Sequence, residues 1–177
     1  MPEKMNNLEI IKDVLNNKYL LNQKFLSESD KNTKGKRFET TYPIVSEKIN
    51  YSLYRFDPRK EDLFPYFSKL SGLKKICDYI LFAEEGNILF VFLIELKLGT
   101  ANARPQLLAS KTFIDYVTES ARRIGKSLTS EVCCRLIRIP NKKITKGKRN
   151  AKEDIEYDRN FYCDYKYSDF RLKLLMK

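Results

Sequence analysis

Residues 88–98 read Ile-Leu-Phe-Val-Phe-Leu-Ile-Glu-Leu-Lys-Leu, in which seven apolar residues lead directly to Glu95 and Lys97. A second apolar run, Lys-Ile-Cys-Asp-Tyr-Ile-Leu-Phe at residues 75–82, is interrupted by Asp78. Apolar runs of this length predict strands that are covered on both faces of a sheet. Charged side chains in such strands cost free energy unless they are paired or bound to a metal ion. The three charged residues are therefore the first candidates for a functional site.

The segment between the two runs, Glu84-Glu85-Gly86-Asn87, predicts a hairpin turn, because glycine and asparagine tolerate positive φ. An even-numbered loop, centred on the second and third of these residues, places Asp78 opposite Leu93. Since side chains alternate between faces, Asp78, Glu95 and Lys97 then share one face. Asp78 and Glu95 become diagonal neighbours, roughly 7–8 Å apart between Cα atoms, and could share one hard cation such as Mg²⁺. An odd-numbered loop would move Asp78 to the other face.

Composition narrows the class of protein. The chain has 177 residues, 42% hydrophobic and 32% charged, which is typical of a globular chain long enough for one domain. Its net charge of +11 favours a polyanionic partner, nucleic acid before an anionic membrane, although a basic surface can also serve solubility alone. We predict a single domain over 1–177, with a helical segment at about 1–30, a core at about 34–140, and a basic loop with a C-terminal strand and helix at 141–177.

Several kinds of chemistry are excluded or disfavoured. The chain contains no histidine, which excludes Ser-His-Asp and Cys-His catalysis. Cys77, Cys133, Cys134 and Cys163 form no Cys-x-x-Cys pair, which disfavours a zinc site. Acid–base work would fall to Lys, Asp, Glu, Tyr or metal-bound water. No secretory signal follows Met1, and no apolar run approaches the roughly 20 residues that cross a bilayer, so we expect a cytoplasmic protein without membrane contact.

Asp78, the hairpin and then Glu95-Leu96-Lys97 resemble the active-site motif of the PD-(D/E)XK nuclease superfamily, which has the restriction-endonuclease-like fold. The residue before the aspartate is usually proline in that motif and is Cys77 here. Lys-Gly-Lys-Arg-Phe-Glu at 34–39 resembles the glycine-x-x-phenylalanine-glutamate start of the first helix in these enzymes. Ala-Arg-Pro-Gln-Leu-Leu at 103–108 resembles the segment that carries a glutamine at the start of the next helix. The resemblance covers roughly residues 34–139.

The resemblance implies a role for each residue of the motif. Asp78, Glu95 and the backbone carbonyl of Leu96 would bind Mg²⁺ or Mn²⁺ through oxygen. Lys97 would orient or deprotonate the attacking water, or stabilise the transition state as a fixed cation. Gln106 would position the water, the lysine or a phosphate. The alternatives are a salt-bridged cluster at strand ends for the charged residues, and an ordinary polar residue at a helix start for Gln106.

A first-helix acidic residue is also implied, and two glutamates could supply it. Glu39 follows the phenylalanine of the 34–39 motif and would complete the metal shell; the alternative is a solvated charge near a helix start. Glu47 is the second candidate, because Pro43 suits a first helical turn with Glu47 inside the helix.

The hydrophobic pattern predicts an α/β fold with a mixed central β-sheet flanked by helices, and it fits the αβββαβ core of the resembled superfamily. Ala101–Ile124 predicts a helix and Glu131–Pro140 predicts a strand. The other predictions are helices within 6–26 and 38–54, a loop at 27–36, strands at 51–56 and 158–167, and a short helix or tail at 170–176.

The densest basic cluster follows the strand Glu131–Pro140. It is predicted to form a loop that binds phosphates, or else a solvated loop, and consists of Lys142, Lys143, Lys146, Lys148, Arg149 and Lys152. Together these features predict a magnesium-dependent nuclease or endonuclease that acts on DNA. The dimer that two-strand cleavage would need is a further expectation. The alternatives are a non-catalytic nucleic-acid-binding domain of the same fold and a basic protein-interaction domain.

Overall fold

The computed structural model describes residues 6–31, 37–56, 61–98, 101–126, 128, 131–141 and 154–177. The elements in this part of the chain are α1 (Asn7–Val14), β1 (Leu20–Leu21), β2 (Phe25–Lys31), β3 (Arg37–Val45), β4 (Tyr51–Tyr54), β5 (Tyr79–Glu85), β6 (Ile88–Leu98), α2 (Arg104–Arg123), β7 (Glu131–Asn141), β8 (Tyr162–Asp164), β9 (Phe170–Arg171) and α3 (Leu172–Leu175). None of these helices is long and apolar enough to cross a membrane.

A mixed six-stranded sheet, ordered β1-β4-β5-β6-β7-β8, forms the centre of the fold. β4, β5 and β6 pair antiparallel. A two-residue turn joins β5 to β6, whereas residues 55–78 lie between β4 and β5. α2 then crosses over and returns the chain to β7, which lies parallel to β6. β8 adds a second parallel pairing beside β7. The predicted α/β fold with a mixed central sheet is confirmed. β4, β5, β6, α2 and β7 follow the βββαβ part of the predicted core, whereas β1, β2 and β3 lie between α1 and β4.

Both faces of the central sheet are covered, which explains the continuous apolar runs of β5 and β6. On one face, the helices α1 and α2 contribute Ile11 and Ile114 to a core that includes Leu93. On the other face, the smaller sheet β2-β3-β9 and α3 pack on side chains such as Phe92 and Ile94. Successive residues of β6 therefore alternate between two buried layers rather than between a core and solvent.

The prediction for the N-terminal half was wrong in most of its elements. Of the helices predicted within 6–26, α1 ends at Val14. The predicted loop at 27–36 overlaps β2, which continues to Lys31. The predicted helix within 38–54 is replaced by β3 and β4, of which β4 is the extra strand predicted at 51–56. β3 is rich in β-branched and aromatic residues, which favour strands, and its Pro43 pairs with Phe25 instead of opening a helix.

The C-terminal half follows the prediction more closely. α2 and β7 match the predicted helix and strand within a few residues. The predicted strand at 158–167 is reduced to β8, because the chain turns back after it. The Tyr165 hydroxyl donates to the Asp169 carbonyl and accepts from the Arg171 N–H, which closes this turn. The tail then forms β9 and the short helix α3.

Candidate active site

The β5–β6 hairpin has a tighter turn than the sequence predicted. Gly86 and Asn87 form a two-residue loop that closes on the pair Glu85 and Ile88. Gly86 has a φ of +60°, which suits the first central position of a primed hairpin turn. The prediction that Asp78 lies opposite Leu93 is therefore wrong by two residues.

The corrected register brings the two carboxylates closer together than predicted. Tyr79 pairs with Ile94, so the next position places Asp78 directly opposite Glu95. Directly opposed residues have Cβ atoms about 4.5–5.5 Å apart, nearer than the diagonal neighbours that the sequence predicted. Because a shift of two residues preserves the alternation of side chains, Asp78, Glu95 and Lys97 still share one face. This is the face that α1 and α2 cover.

Two reciprocal hydrogen bonds hold the carboxylates at the end of the strand pair. The Asp78 N–H donates to Glu95 Oε2 at 3.1 Å, and the Leu96 N–H donates to Asp78 Oδ2 at 2.8 Å. Each side chain thus accepts from the backbone of the opposite strand where the regular ladder ends. Leu96 itself has a buried side chain between two site residues, so only its backbone can contribute to the site.

Glu95 is buried at a cost that its neighbours do not remove. Only 3% of the residue is exposed, and its Oε1 lies 2.5 Å from Nζ of Lys97, whose side chain is 21% exposed. Burial, and next the negative charge of Asp78, raise the pKa of Glu95 to about 7, although Lys97 acts to lower it. The carboxyl group is therefore only partly ionised near neutral pH.

The chemistry of these side chains fits a hard divalent cation. Carboxylate oxygens are the ligands that Mg²⁺ and Mn²⁺ prefer, and a cation between Asp78 and Glu95 would relieve both the burial and the repulsion. No group of three or more His, Cys, Asp or Glu side chains with metal-binding geometry occurs among the residues that the structure describes. The protein ligands offered here are the two opposed carboxylates and the adjoining backbone.

Gln106 lies in α2. A hydrogen bond joins the first turns of this helix to Cys77, the residue before Asp78. The Ser110 hydroxyl accepts from the Cys77 N–H at 2.7 Å and donates to the Gln106 carbonyl at 2.9 Å. The Gln106 Oε1 atom is buried and has no hydrogen-bond partner within the described ranges. Cys77, which stands where the resembled motif has proline, uses an N–H that proline lacks.

The glutamates proposed for the first helix do not lie on a helix. Glu39 is an exposed residue of β3, opposite Ser29 of β2, in the smaller sheet on the other face of the central sheet. Glu47 is exposed in the turn that follows β3 and has a φ of +49°. The prediction that one of them completes the site from the first helix is wrong, because the segment forms strands instead.

The basic cluster after β7 lies outside the described residues. This covers every residue that the sequence predicted as a phosphate-binding loop, namely Lys142, Lys143, Lys146, Lys148, Arg149 and Lys152. Their role stays a prediction.

One basic residue at this end of the sheet was not singled out from the sequence. Arg138 of β7 is paired in register with Glu95 of β6, so the two side chains lie on the same face. Its Nη1 atom lies 3.0 and 3.1 Å from the carboxylate oxygens of Asp164 in β8. The signal was present in the sequence, because Arg138 is a charge in an apolar strand, as Asp78 is.

A second arginine lies at this end of the sheet, and it is paired with a carboxylate, as Arg138 is. Arg104, at the start of α2, lies with its guanidinium carbon 4.3 Å from the ring centre of Tyr162 in β8. It also donates to Asp158 at 2.6 Å. The N-terminus of α2 and the C-terminal ends of the parallel strands β6 and β7 thus meet here. α/β sheets commonly bind ligands at the C-terminal ends of their strands.

Comparisons with protein-family models, with curated proteins and with solved structures gave no match to this chain. We therefore infer its function from the geometry of the site.

Proposed function

We propose that this protein is a metal-dependent nuclease that hydrolyses phosphodiester bonds in DNA. The observation that carries the proposal is the placement of Asp78 directly opposite Glu95, with the Lys97 ammonium 2.5 Å from Glu95, at the end of an otherwise apolar strand pair. The order β4, β5, β6, α2 and β7 supports it, since it matches the βββαβ part of the core of the PD-(D/E)XK superfamily that the motif resembles.

A purely structural ion cluster explains the site less well. In an ion cluster that serves only stability, each charge should be stabilised by solvent or by its partners. Instead, burial and the charge of Asp78 raise the pKa of Glu95 to about 7 even with Lys97 in contact. A carboxyl group whose pKa is strongly perturbed by burial and by a neighbouring charge is typical of a functional site.

Each residue has a distinct task in the proposed reaction. Asp78 and Glu95 would hold Mg²⁺ or Mn²⁺, which when bound supplies positive charge against the phosphate and lowers the pKa of water. Lys97 holds an ammonium beside Glu95, where it can donate to a phosphate oxygen or, when neutral, take a proton from the attacking water. Gln106 would position that water, and its buried Oε1 atom has no hydrogen-bond partner within the described ranges. Hydrolysis then forms one P–O bond from water and breaks the bond to the leaving oxygen.

The charge of the chain supports nucleic acid as the substrate. A net charge of +11 attracts a polyanion at long range, and phosphate contacts dominate the affinity of such complexes. One site cleaves one strand, so cleavage of both strands would require two copies of the chain or two successive events.

The test is cleavage of circular plasmid, linear plasmid, single-stranded DNA and RNA in the presence of Mg²⁺ or Mn²⁺. We expect Asp78→Asn and Lys97→Ala each to lower the rate by at least about 100-fold, since the first removes a metal ligand and the second removes a positive charge beside the phosphate. Asp154→Asn and Lys177→Ala are matched controls, because these residues form an exposed ion pair. The controls should cleave like the wild type.

The other outcomes separate the alternatives. Cleavage that survives both site substitutions would place the activity elsewhere or in a contaminant. Tight DNA binding without cleavage of any substrate would favour a non-catalytic nucleic-acid-binding domain of the same fold. Weak and salt-sensitive DNA binding without a stable complex would favour a basic protein-interaction domain.

A further inference from the structure

An exposed aromatic groove lies between α2 and the segment that leads into the candidate active site. Its volume is about 530 Å³, within the range of pockets that bind small ligands. We define the aromatic groove by the residues that line it and carry the argument: Tyr66, Phe67, Leu73, Lys75, Phe113 and Tyr116.

The rings of the groove are arranged in an inner and an outer layer. Phe64 is buried, and its ring centre lies 5.8 Å from that of Phe113 and 6.1 Å from that of Phe67. The outer rings remain exposed, at 71% for Tyr66, 66% for Tyr116 and 40% for Phe67. Large apolar side chains that gather on a surface mark a binding site, whereas scattered ones need no explanation. The inner layer gives the outer rings a rigid support.

One lysine in the groove favours a ligand that carries a negative charge. Lys75 lines the aromatic groove and is half-buried. It forms an ion pair with no carboxylate in the part of the chain that the structure describes, whereas the neighbouring Lys74 pairs with Asp62 at 2.6 Å. A ligand that suits both the exposed rings and this ammonium carries a flat aromatic face together with an anionic group. A nucleotide has both, as base and phosphate.

The groove lies close to the candidate active site along the chain. Lys75 precedes Asp78 by three residues, so the backbone between them spans at most about 11 Å. The hydrogen bond from the Cys77 N–H to Ser110 holds this segment against α2, between the groove and the carboxylates. Ala109 and Phe113, which flank Ser110 on α2, both line the groove. A strand whose phosphate lies at Asp78 is thus within reach of the aromatic rings.

We propose that the aromatic groove holds an unpaired base of the substrate strand, so that the protein binds and cleaves single-stranded DNA in preference to fully paired duplex. This inference rests on the proposed nuclease function for the cleavage, but the base-binding site is separable from it. In a duplex, the faces of the bases are already stacked on one another, so the outer rings of the groove cannot reach them. An unpaired strand offers those faces freely.

Binding without metal tests the groove independently of catalysis. The affinity of a short labelled single strand is measured by fluorescence anisotropy in EDTA, and the same sequence is measured as a duplex. Tyr116→Ala should weaken single-strand binding by about tenfold or more, because it removes one stacking ring. Tyr116→Phe should keep the affinity, because it keeps the ring. Phe25→Ala is the control, since it removes a partly exposed ring from β2 in the smaller sheet.

Two further measurements sharpen the test. Lys75→Gln should lower the slope of log affinity against log salt concentration by about 0.7 for the single strand, since it removes one phosphate contact. Duplex affinity should be nearly unaffected by Tyr116→Ala. Because Tyr116 is mostly exposed, its replacement should leave the melting temperature unchanged.

The groove assignment and the nuclease assignment fail in different ways. Single-strand affinity that is unchanged in both Tyr116→Ala and Phe67→Ala would overturn the groove, as would equal losses for single strand and duplex. Loss of single-strand affinity in a protein that cleaves nothing would support the groove and overturn the nuclease. Cleavage that depends on Asp78, together with normal single-strand binding by the groove variants, would support the nuclease and overturn the groove.

Discussion

Replacing Glu95 with glutamine should stabilise the metal-free protein at alkaline pH. The pKa of this carboxyl is about 7 in the folded chain, against an ordinary value of 4.5. Each unit of difference corresponds to about 1.4 kcal/mol between the two protonation states, so the shift corresponds to about 3 kcal/mol. Glutamine cannot ionise, and it resembles the protonated form of glutamate in size and shape.

The direction of the pH dependence follows from which state holds the proton more tightly. Because its folded pKa is raised, Glu95 binds its proton more strongly in the folded chain than in the unfolded chain. Its contribution to stability is fully present below about pH 4.5 and is lost as the pH rises through about 7. The wild type and Glu95→Gln should therefore be similar near pH 4.5, and the variant should be more stable by about 3 kcal/mol above pH 8.

Urea unfolding of both proteins in EDTA across this pH range measures the effect. The difference between the two free energies of unfolding is the quantity to follow, since the titration of other groups largely cancels in it. Glu131→Gln is the matched control, because Glu131 is an exposed glutamate at the start of β7. It should change stability by less than about 0.5 kcal/mol at any pH in the range.

Two results would refute this reasoning. A difference in the free energy of unfolding that does not change with pH would mean that folding does not raise the pKa of Glu95. A variant that is less stable than the wild type at pH 8 would mean that the ion pair with Lys97 stabilises the fold outright. Either result would favour the structural ion cluster over the active site.

Further predictions concern metal binding, the hydrogen bond of Ser110 and the role of Glu39. Millimolar Mg²⁺ at pH 8 should raise the melting temperature of the wild type but not of Asp78→Asn in a thermal shift assay, because binding to the folded state stabilises it. Ser110→Ala should lower the free energy of unfolding by about 1–3 kcal/mol in urea titrations, because it leaves a buried backbone N–H without its acceptor. Ser120→Ala, on the same helix, should have little effect. Glu39→Gln should leave the rate of plasmid cleavage unchanged, since this exposed residue lies in the smaller sheet.

The sequence predicted the candidate site better than it predicted the surrounding elements. Continuous apolar runs identify β5 and β6 because both faces of these strands are buried, and any charge within them stands out. The shared face of Asp78 and Glu95 followed from the even number of residues in the loop. The error of two residues in register left that face unchanged, because side chains alternate with a period of two.

The N-terminal half could not be predicted in the same way. Between Phe25 and Val45, the strands β2 and β3 carry polar and charged residues such as Glu28 and Glu39, so no continuous apolar run identifies them. Their pairing depends on contacts with distant parts of the chain. Tyr79 of β5 donates its hydroxyl hydrogen to the Ser27 carbonyl and accepts from the Ser27 N–H, and β3 pairs with β9 near the C-terminus. Local pattern carries no information about such contacts.

By itself, the sequence determined the α/β class, the long helix α2, the buried hairpin and the face on which its charges lie, because these depend on periodicity within short segments. Only the tertiary structure decided that Asp78 stands directly opposite Glu95, that Arg138 lies beside Glu95 on the same face, and that the first-helix glutamates lie elsewhere. It also gathered the rings of the aromatic groove from two separate segments. Register between strands and packing between segments are set by long-range contacts, which no local pattern in the chain specifies.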